Sequence, residues 1–431
     1  MKTLNGKPST DLHGTLVVPG DKSISHRGIM LGAISEGTTH LSHFLTSADC
    51  LSTLAAFQQL GVHIERDGQD VTIHGVGLHG LKPSAQPLDM GNSGTTTRLI
   101  SGLLAGQSFT STLIGDASLS KRPMKRVSVP LSEMGANIET TDGHLPMTIT
   151  GSPLHSVTYQ LQVASAQVKS ALILAALQAD KPSTLVEQLP TRDHTERMLT
   201  QFGGDIATAA DGVTITVQPQ PHLTGQTMTV PGDMSSAAFF MVAASLVPNS
   251  KITLKDVGLN KTRTGLLNIL QRMGGKVSID AAPTDGEPIG DLTIETADLH
   301  PINIGAADIP AVIDELPLVA LLAAKADGIS RITGAEELRV KETDRIAAIV
   351  QEFTKLGINI EELPDGFVID GRMPWHVTDN QLDAHDDHRI GMVLGVAGLL
   401  VDKPVQLAGA DSVRISYPEF FDDLNTLLPK E

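Results

Sequence analysis

The sequence predicts an α/β (α+β) fold of two domains, and three observations carry that expectation. One pattern recurs roughly every 70 to 80 residues: a turn of small or charged residues, an Ala/Leu-rich helix and a short strand. A second unit runs between the copies, a helix ending in glycine followed by an alternating hairpin. Composition agrees, because 431 residues with 41% hydrophobic and 19% charged positions are enough for two buried cores.

Six copies of the first unit open at GDKSISHRG from Gly20, GNSGTTTR from Gly91, ASAQVKSA from Ala164, GDMSSAAFF from Gly232, AVIDELP from Ala311 and AHDDHRIGM from Ala384. Small polar residues precede an aliphatic run of helical length, and a short strand-like segment such as FTSTLIG or KITLKDV follows. The second unit reads FQQLGVHIERDGQDVTIHG, LSEMGANIETTDGHLPMTITG, LTQFGGDIATAADGVTITV, LQRMGGKVSIDAAPTDGEPIGDLTIET and FTKLGINIEELPDGFVIDG. Its first glycine is a helix C-cap, and most copies carry Asp-Gly as a turn signal. The sixth copy breaks off at FFDDLNTLLPKE, whereas the N-terminal LHGTLVVPG is a strand with no helix before it, so the start of the chain is expected to complete the last repeat. The expected division is a contiguous domain over 20–230, holding repeats one to three, and a discontinuous domain of 1–19 plus 231–431, with the active site in the interdomain cleft.

Composition also removes several function classes. Aromatic residues make up 3% of the chain, which argues against stacking on nucleic-acid bases. One cysteine, Cys50, permits no internal disulfide, and MKTLNGKPSTDLHG has no signal-peptide run. The longest apolar stretches, such as IGMVLGVAGLLV, fall short of the roughly 20 residues that span a bilayer. A cytoplasmic protein without a membrane role is expected.

Charge placement is more telling. The chain carries 49 acids against 32 bases, net −17, yet Lys22, Arg27, Arg98, Lys121, Arg122, Lys341, Arg345 and Arg389 fall at or near expected helix starts. Helix N-termini already bear partial positive charge, so bases there need an anion to offset them. Ser23 with Arg27 and Lys341 with Arg345 are four apart, placing each pair on one face if a helix covers it. Forked guanidiniums among small residues describe a cradle for a small, multiply anionic substrate. Simpler readings stand beside this one. Asp314, ahead of Pro317, reads also as a helix cap, and Glu342 with Arg345 as a surface pair. His385, Asp386, Asp387 and His388 are conceivable metal ligands, but a polar helix start describes them better, because no companion ligand cluster accompanies them. His26 reads as a packed or capping histidine before a catalytic one. GVGLHG at 75–80 fits a dinucleotide fingerprint but leads into LKPSAQP instead of a helix, so that reading fails its context.

The segments DKSISHR, GNSGTTTR, SLSKRPM, ASAQVKSA, TRDHTE, IDELP, ELRVKETDR and DDHRIGM resemble, in order and spacing over essentially the whole chain, those of the 5-enolpyruvylshikimate-3-phosphate synthase family. The resemblance implies a metal-free, cofactor-free reaction of shikimate 3-phosphate with phosphoenolpyruvate, releasing phosphate, in aromatic amino acid biosynthesis. It implies two domains, each of three βαβαββ repeats in an inside-out α/β barrel. It further implies that Lys22, Ser23, Arg27, Ser165, Ala166, Gln167, Arg192, Asp314 and Lys341 hold shikimate 3-phosphate. Phosphoenolpyruvate would fall to Lys22, Gly94, Arg122, Gln167, Arg345 and Arg389, with Arg98 supporting its turn. Asp314, Glu342 and Lys22 are the implied catalytic groups: base for the 5-hydroxyl, proton donor to the methylene carbon, and partner of the leaving phosphate. Ile415, in RISYP, stands where many members have lysine, and Arg414 is a candidate substitute. The expected partners are these two small molecules and no nucleic acid, and the expected state is a monomer.

Two alternatives remain at this point. The related transferase acting on UDP-N-acetylglucosamine resembles the chain less, having Lys-Asn where Lys22-Ser23 stand and a reactive loop cysteine, whereas Cys50 is far from the KRP segment. A ring-shaped DNA clamp also uses repeated α/β units but would spread its bases over all repeats, and GDMSSAAFFM in the fourth has none.

Overall fold

Residues 1–4, 11–282 and 286–429 are described by the computed structural model. The turn of the fourth expected hairpin at 283–285, part of the expected N-terminal segment at 5–10, and the last two residues of FFDDLNTLLPKE lie outside the described residues. The chain divides into two compact units, Gly20–Val230 and Met1–Pro19 with Pro231–Glu431.

Six helices belong to the unit Gly20–Val230: α1 (Lys22–Ile34), α2 (Ala48–Gln59), α3 (Gly94–Ala105), α4 (Lys125–Glu133), α5 (Ala166–Ala176) and α6 (His194–Gln201). Six more belong to the other: α7 (Met234–Leu246), α8 (Gly265–Arg272), α9 (Leu316–Ala323), α10 (Arg345–Lys355), α11 (His388–Ala397) and α12 (Phe420–Thr426). The small polar residues ahead of the aliphatic runs act as caps. Asp21, Ser93, Ser165, Asp233 and Asp387 each accept a backbone N–H at the start of α1, α3, α5, α7 and α11, a contact worth about 1 kcal/mol per helix. The fifth repeat differs: Ile313–Glu315 forms a 3-10 turn that runs into α9 without a side-chain cap. The capping reading of Asp314 therefore fails.

At the other end of the second-unit helices, Gly61, Gly135, Gly203, Gly274 and Gly357 have φ between 80° and 95°. An L side chain is strained there, so glycine closes each helix and lets the following N–H groups bond back, as Ile358 N does to the Phe353 carbonyl.

Each unit has three open sheets, and no sheet closes into a hydrogen-bonded barrel among the described residues. Five sheets have four strands, a parallel pair followed by the hairpin, as in Thr158–Gln160, Ser183–Val186, Thr214–Val217 and Ile206–Thr208, where α5 joins the parallel pair. Strand burial alternates, as along Ile289–Glu295, whereas α9 is buried at every residue and α7 from Met234 to Ser245. The helices form the interior and the sheets present their outer faces to solvent. Two separate apolar cores result, one per unit.

The start of the chain completes the last repeat as expected, but with a different strand. The strand inside LHGTLVVPG, His13–Val17, runs parallel to Lys251–Gly258 and opens the fourth repeat. The sixth sheet is completed instead by Lys2–Leu4, antiparallel to Val405–Ala408. The reason is a displaced strand at the end of the third repeat. Thr227–Thr229 pairs in parallel with Glu36–Ser42 in the first sheet, so the fourth repeat needs a strand from elsewhere. No helix among the described residues is long and apolar enough to cross a membrane.

Candidate active site

In the unit Gly20–Val230, Lys22 is the first residue of α1 and forms an ion pair with Asp49 of α2. Ser23 and Arg27 share one face of α1, as their spacing requires. Arg27 is buried; its Nη1 donates to the Ser23 carbonyl at 3.0 Å, its Nε to Thr195 Oγ1 at 2.6 Å and its Nη2 to Ser170 Oγ at 2.8 Å. Repeats one and three thereby meet at one guanidinium.

His26 is fully buried, with Nδ1 2.6 Å from Thr53 Oγ1, and a chain of hydroxyls continues through Thr96 to Ser93 at the start of α3. It is a packed histidine. Burial, with Lys22 and Arg27 close by, holds its pKa well below the usual value, so the ring is neutral at pH 7. The unfolded chain binds a proton near pH 6.5 whereas the folded one does not until well below, so stability is lost as pH falls from about 6.5. His26→Gln is expected to flatten that acid limb by up to about 1.4 kcal/mol per pH unit. Denaturant unfolding between pH 7 and 5 measures the slope, and an unchanged slope would contradict the assignment.

The second repeat builds a polar corner. Gly94 begins α3, Arg98 Nη1 donates to Gln167 Oε1 at 2.6 Å, Gln167 Nε2 donates to Thr95 Oγ1 at 2.9 Å, and Arg122 Nη2 donates to Asn92 Oδ1 at 2.7 Å. A Cβ on Gly94 would lie 3.0 Å from Arg98 Nη1 and 3.4 Å from Arg122 Nη1. The residue is not in the left-handed region. Glycine here makes room beside two guanidiniums. Ser165 caps α5 and Ala166 is its first residue, while Arg192 lies half-buried two residues before α6.

Sequence reasoning passed over Lys169. Its ammonium is buried between Glu187 at 3.0 Å and Glu196 at 2.7 Å and reaches the Thr191 carbonyl at 3.4 Å, which ties down the loop carrying Arg192. Burial raises the Glu196 pKa, against the pull of Lys169. A lysine at the head of an aliphatic helical run was the available signal.

In the other unit, five candidates converge. Asp314 Oδ1 lies 3.6 Å from Lys341 Nζ and 3.7 Å from Arg345 Nη1, and its Oδ2 lies 3.9 Å from Arg389 Nη2. Arg345 Nη2 donates to Glu342 Oε2 at 2.6 Å; with the guanidinium buried and the carboxylate only partly exposed, this is not a simple surface pair. The expected helical pairing of Lys341 with Arg345 does not occur, because α10 starts at Arg345; the two bases meet through Asp314 instead.

Arg345 is 1% exposed, and its Nε and Nη2 straddle the carboxylate of Asp387, which is fully buried, at 2.8 and 3.2 Å. Burial alone would lower the guanidinium's pKa, but Asp387, Glu342 and Asp314 raise it above the ordinary value. Arg389 Nη1 donates to the Asp314 carbonyl at 3.1 Å and to buried Glu315 at 3.3 Å; Glu315 also accepts from Ser235 Oγ. Arg263 Nη2 reaches Ser235 Oγ at 2.7 Å and Asp233 at 3.1 Å. The opening motif of the fourth repeat, which carries no base of its own, is thus met by one from further along the same repeat.

The remaining motifs resolve into local structure. Asp387 caps α11 and holds Arg345, while His385 Nε2 sits 2.9 Å from buried Glu352. Among the described residues, the group whose potential ligand atoms lie within 4.8 Å of one another is His63, Glu65 and His74, exposed on a hairpin, and not HDDHR. GVGLHG ends a strand and leads into residues 77–87 without a helix. Ile415 ends a 3-10 helix, Ala410–Ile415, with Arg414 exposed on it.

Residues 7–424 match the family model described as EPSP synthase (3-phosphoshikimate 1-carboxyvinyltransferase). The chain belongs to the EPSP synthase family. A relative from Lactiplantibacillus plantarum, named 3-phosphoshikimate 1-carboxyvinyltransferase, is 62% identical over 427 residues, covering 99% of each chain. Another of that name, from Limosilactobacillus fermentum, is 56% identical over 97% of each. The solved structure of EPSP synthase from Acinetobacter baumannii has a TM-score of 0.87 at 44% identity, covering 99% of this chain and 98% of that one.

Proposed function

We propose that the residues above carry out the reaction of a 3-phosphoshikimate 1-carboxyvinyltransferase, moving the enolpyruvyl group of phosphoenolpyruvate to the 5-hydroxyl of shikimate 3-phosphate. The observation that carries the residue assignment is the meeting of Asp314, Lys341, Glu342 and Arg389, all partly exposed, around the buried Arg345. It supplies carboxylates able to move protons beside guanidiniums able to hold an anion. Full-length relatives bearing the transferase name support the activity and favour neither the UDP-N-acetylglucosamine transferase nor the DNA clamp.

In the proposed mechanism the 5-hydroxyl oxygen attacks C2 of phosphoenolpyruvate while Asp314 takes its proton and Glu342 delivers one to C3. The tetrahedral adduct then loses a proton from C3 as the bond from C2 to the phosphate oxygen breaks, giving the vinyl ether and phosphate. Shikimate 3-phosphate would be held by Lys22, Ser23, Arg27, Ser165, Ala166, Gln167 and Arg192 and by Asp314 and Lys341. Phosphoenolpyruvate would be held by Lys22, Gly94, Arg122 and Gln167 and by Arg345 and Arg389. Fixed donors aimed at the phosphate are the term that lowers the barrier. Phosphate release that needs both substrates, with 5-enolpyruvylshikimate 3-phosphate identified by mass, tests the activity. Release with phosphoenolpyruvate alone would refute it.

Gly94 offers a test of ligand placement. The family resemblance brings in glyphosate, a competitor of phosphoenolpyruvate and a longer molecule, so a methyl pressed against Arg98 and Arg122 should obstruct it more. Gly94→Ala is expected to weaken glyphosate more than phosphoenolpyruvate, by a difference on the order of 1 to 3 kcal/mol. Because the position is not left-handed, the melting temperature should hold. Inhibition constants, KM and thermal melts on both proteins decide it; equal weakening of the two ligands would overturn the placement.

A further inference from the structure

The ion pair between Lys22 and Asp49 gives a role to a residue that no motif singles out. Asp49 is the second residue of α2 and Lys22 the first of α1, so a carboxylate and an ammonium meet at two helix N-termini of the first repeat. The α2 terminus favours the ionised carboxylate, whose side chain is 7% exposed against 23% for Lys22. Oδ2 engages the ammonium, while Oδ1 is buried with no hydrogen-bond partner among the described residues. A buried carboxylate oxygen left unpaired is costly and calls for an explanation. The neighbouring Cys50 packs beneath the same residue, its Sγ 3.8 Å from the Lys22 carbonyl. The ammonium is therefore located from α2 and not only from its own helix.

We propose that Asp49 is the positioning residue for Lys22. Its charge fixes the ammonium in one place and at the same time weakens that ammonium's hold on an anion before reaction. The preorganised charge then acts most on the phosphate as it departs, which is the differential binding that raises turnover. This inference rests on the reading of Lys22 as a substrate contact.

The test compares Asp49→Asn, Asp49→Glu and Lys22→Met by steady-state kinetics, by calorimetric titration with inorganic phosphate and by thermal melts. Asp49→Asn should lower kcat about tenfold or more, while KM for phosphoenolpyruvate and the phosphate Kd stay level or fall. Asp49→Glu, which keeps the charge, should recover part of the lost kcat. A purely structural Asp49 would instead raise KM and phosphate Kd together with a lowered melting temperature, and that result overturns the proposal. Near-native kcat in Asp49→Asn with a crippled Lys22→Met overturns it alone, whereas near-native turnover in Lys22→Met overturns the reading of Lys22 and this inference with it.

Discussion

Lys22→Met is expected to lower turnover by at least about a hundredfold, since a charge aimed at a departing phosphate is commonly worth roughly 3 kcal/mol. Methionine keeps the approximate length of the side chain and removes only its charge. The ion pair adds a second consequence. With the ammonium gone, the Asp49 carboxylate is left buried without its partner, so the melting temperature should fall by a few degrees. The double variant Lys22→Met with Asp49→Asn removes that unpaired charge and should recover the melting temperature without recovering turnover. Assays of phosphate release and thermal melts on the three proteins separate the effects. Turnover that returned along with stability would show the loss to be structural and would remove Lys22 from the chemistry.

Arg345→Met should be the most damaging single change in the other unit. The guanidinium is 1% exposed and faces three carboxylates, of which Asp387 is completely buried. Removing it leaves uncompensated charge in the interior, a cost of about 3 to 5 kcal/mol, or a melting temperature lower on the order of 10 °C for a unit of this size. Asp387 also caps α11, so the disturbance should extend to Arg389 at that helix's start. Arg345→Lys keeps one charge but cannot straddle the Asp387 carboxylate, and an intermediate loss is expected. If Arg345→Met melted within a degree of the parent, the cluster would contribute little to stability.

The sequence reveals these two bases more readily than the acids that hold them. Lys22 and Arg345 stand out as bases at helix starts in an acidic chain, and the motifs around them carry the family resemblance that the relatives bear out. Their anionic neighbours do not stand out. Asp49 lies in the bland segment SADCLSTL, Asp387 reads as a polar helix opening, and Glu315 is hidden beside Asp314. With 49 acids along the chain, no spacing rule selects the few that a fold will bury against a given guanidinium. The mistaken strand assignment has a similar origin. LHGTLVVPG is recognisable as a strand, but nothing local to it distinguishes the fourth sheet from the sixth.

The sequence by itself determined the features that depend on a few consecutive residues: polar caps before aliphatic helices, glycines where a positive φ ends the five helices of the second unit, hairpin turns, the repeat period and the family to which the chain belongs. Those are set by backbone sterics and short-range hydrogen bonds, which act over a single turn of chain. Tertiary structure alone decided which distant strand completes each sheet, that Arg263 meets Ser235 and Asp233, and which carboxylates hold Lys22, Arg345 and Arg389. Edge hydrogen bonds accept any strand of suitable register. A buried charge must take whichever opposite charge the packing brings within reach, and that choice is made by elements far apart along the chain.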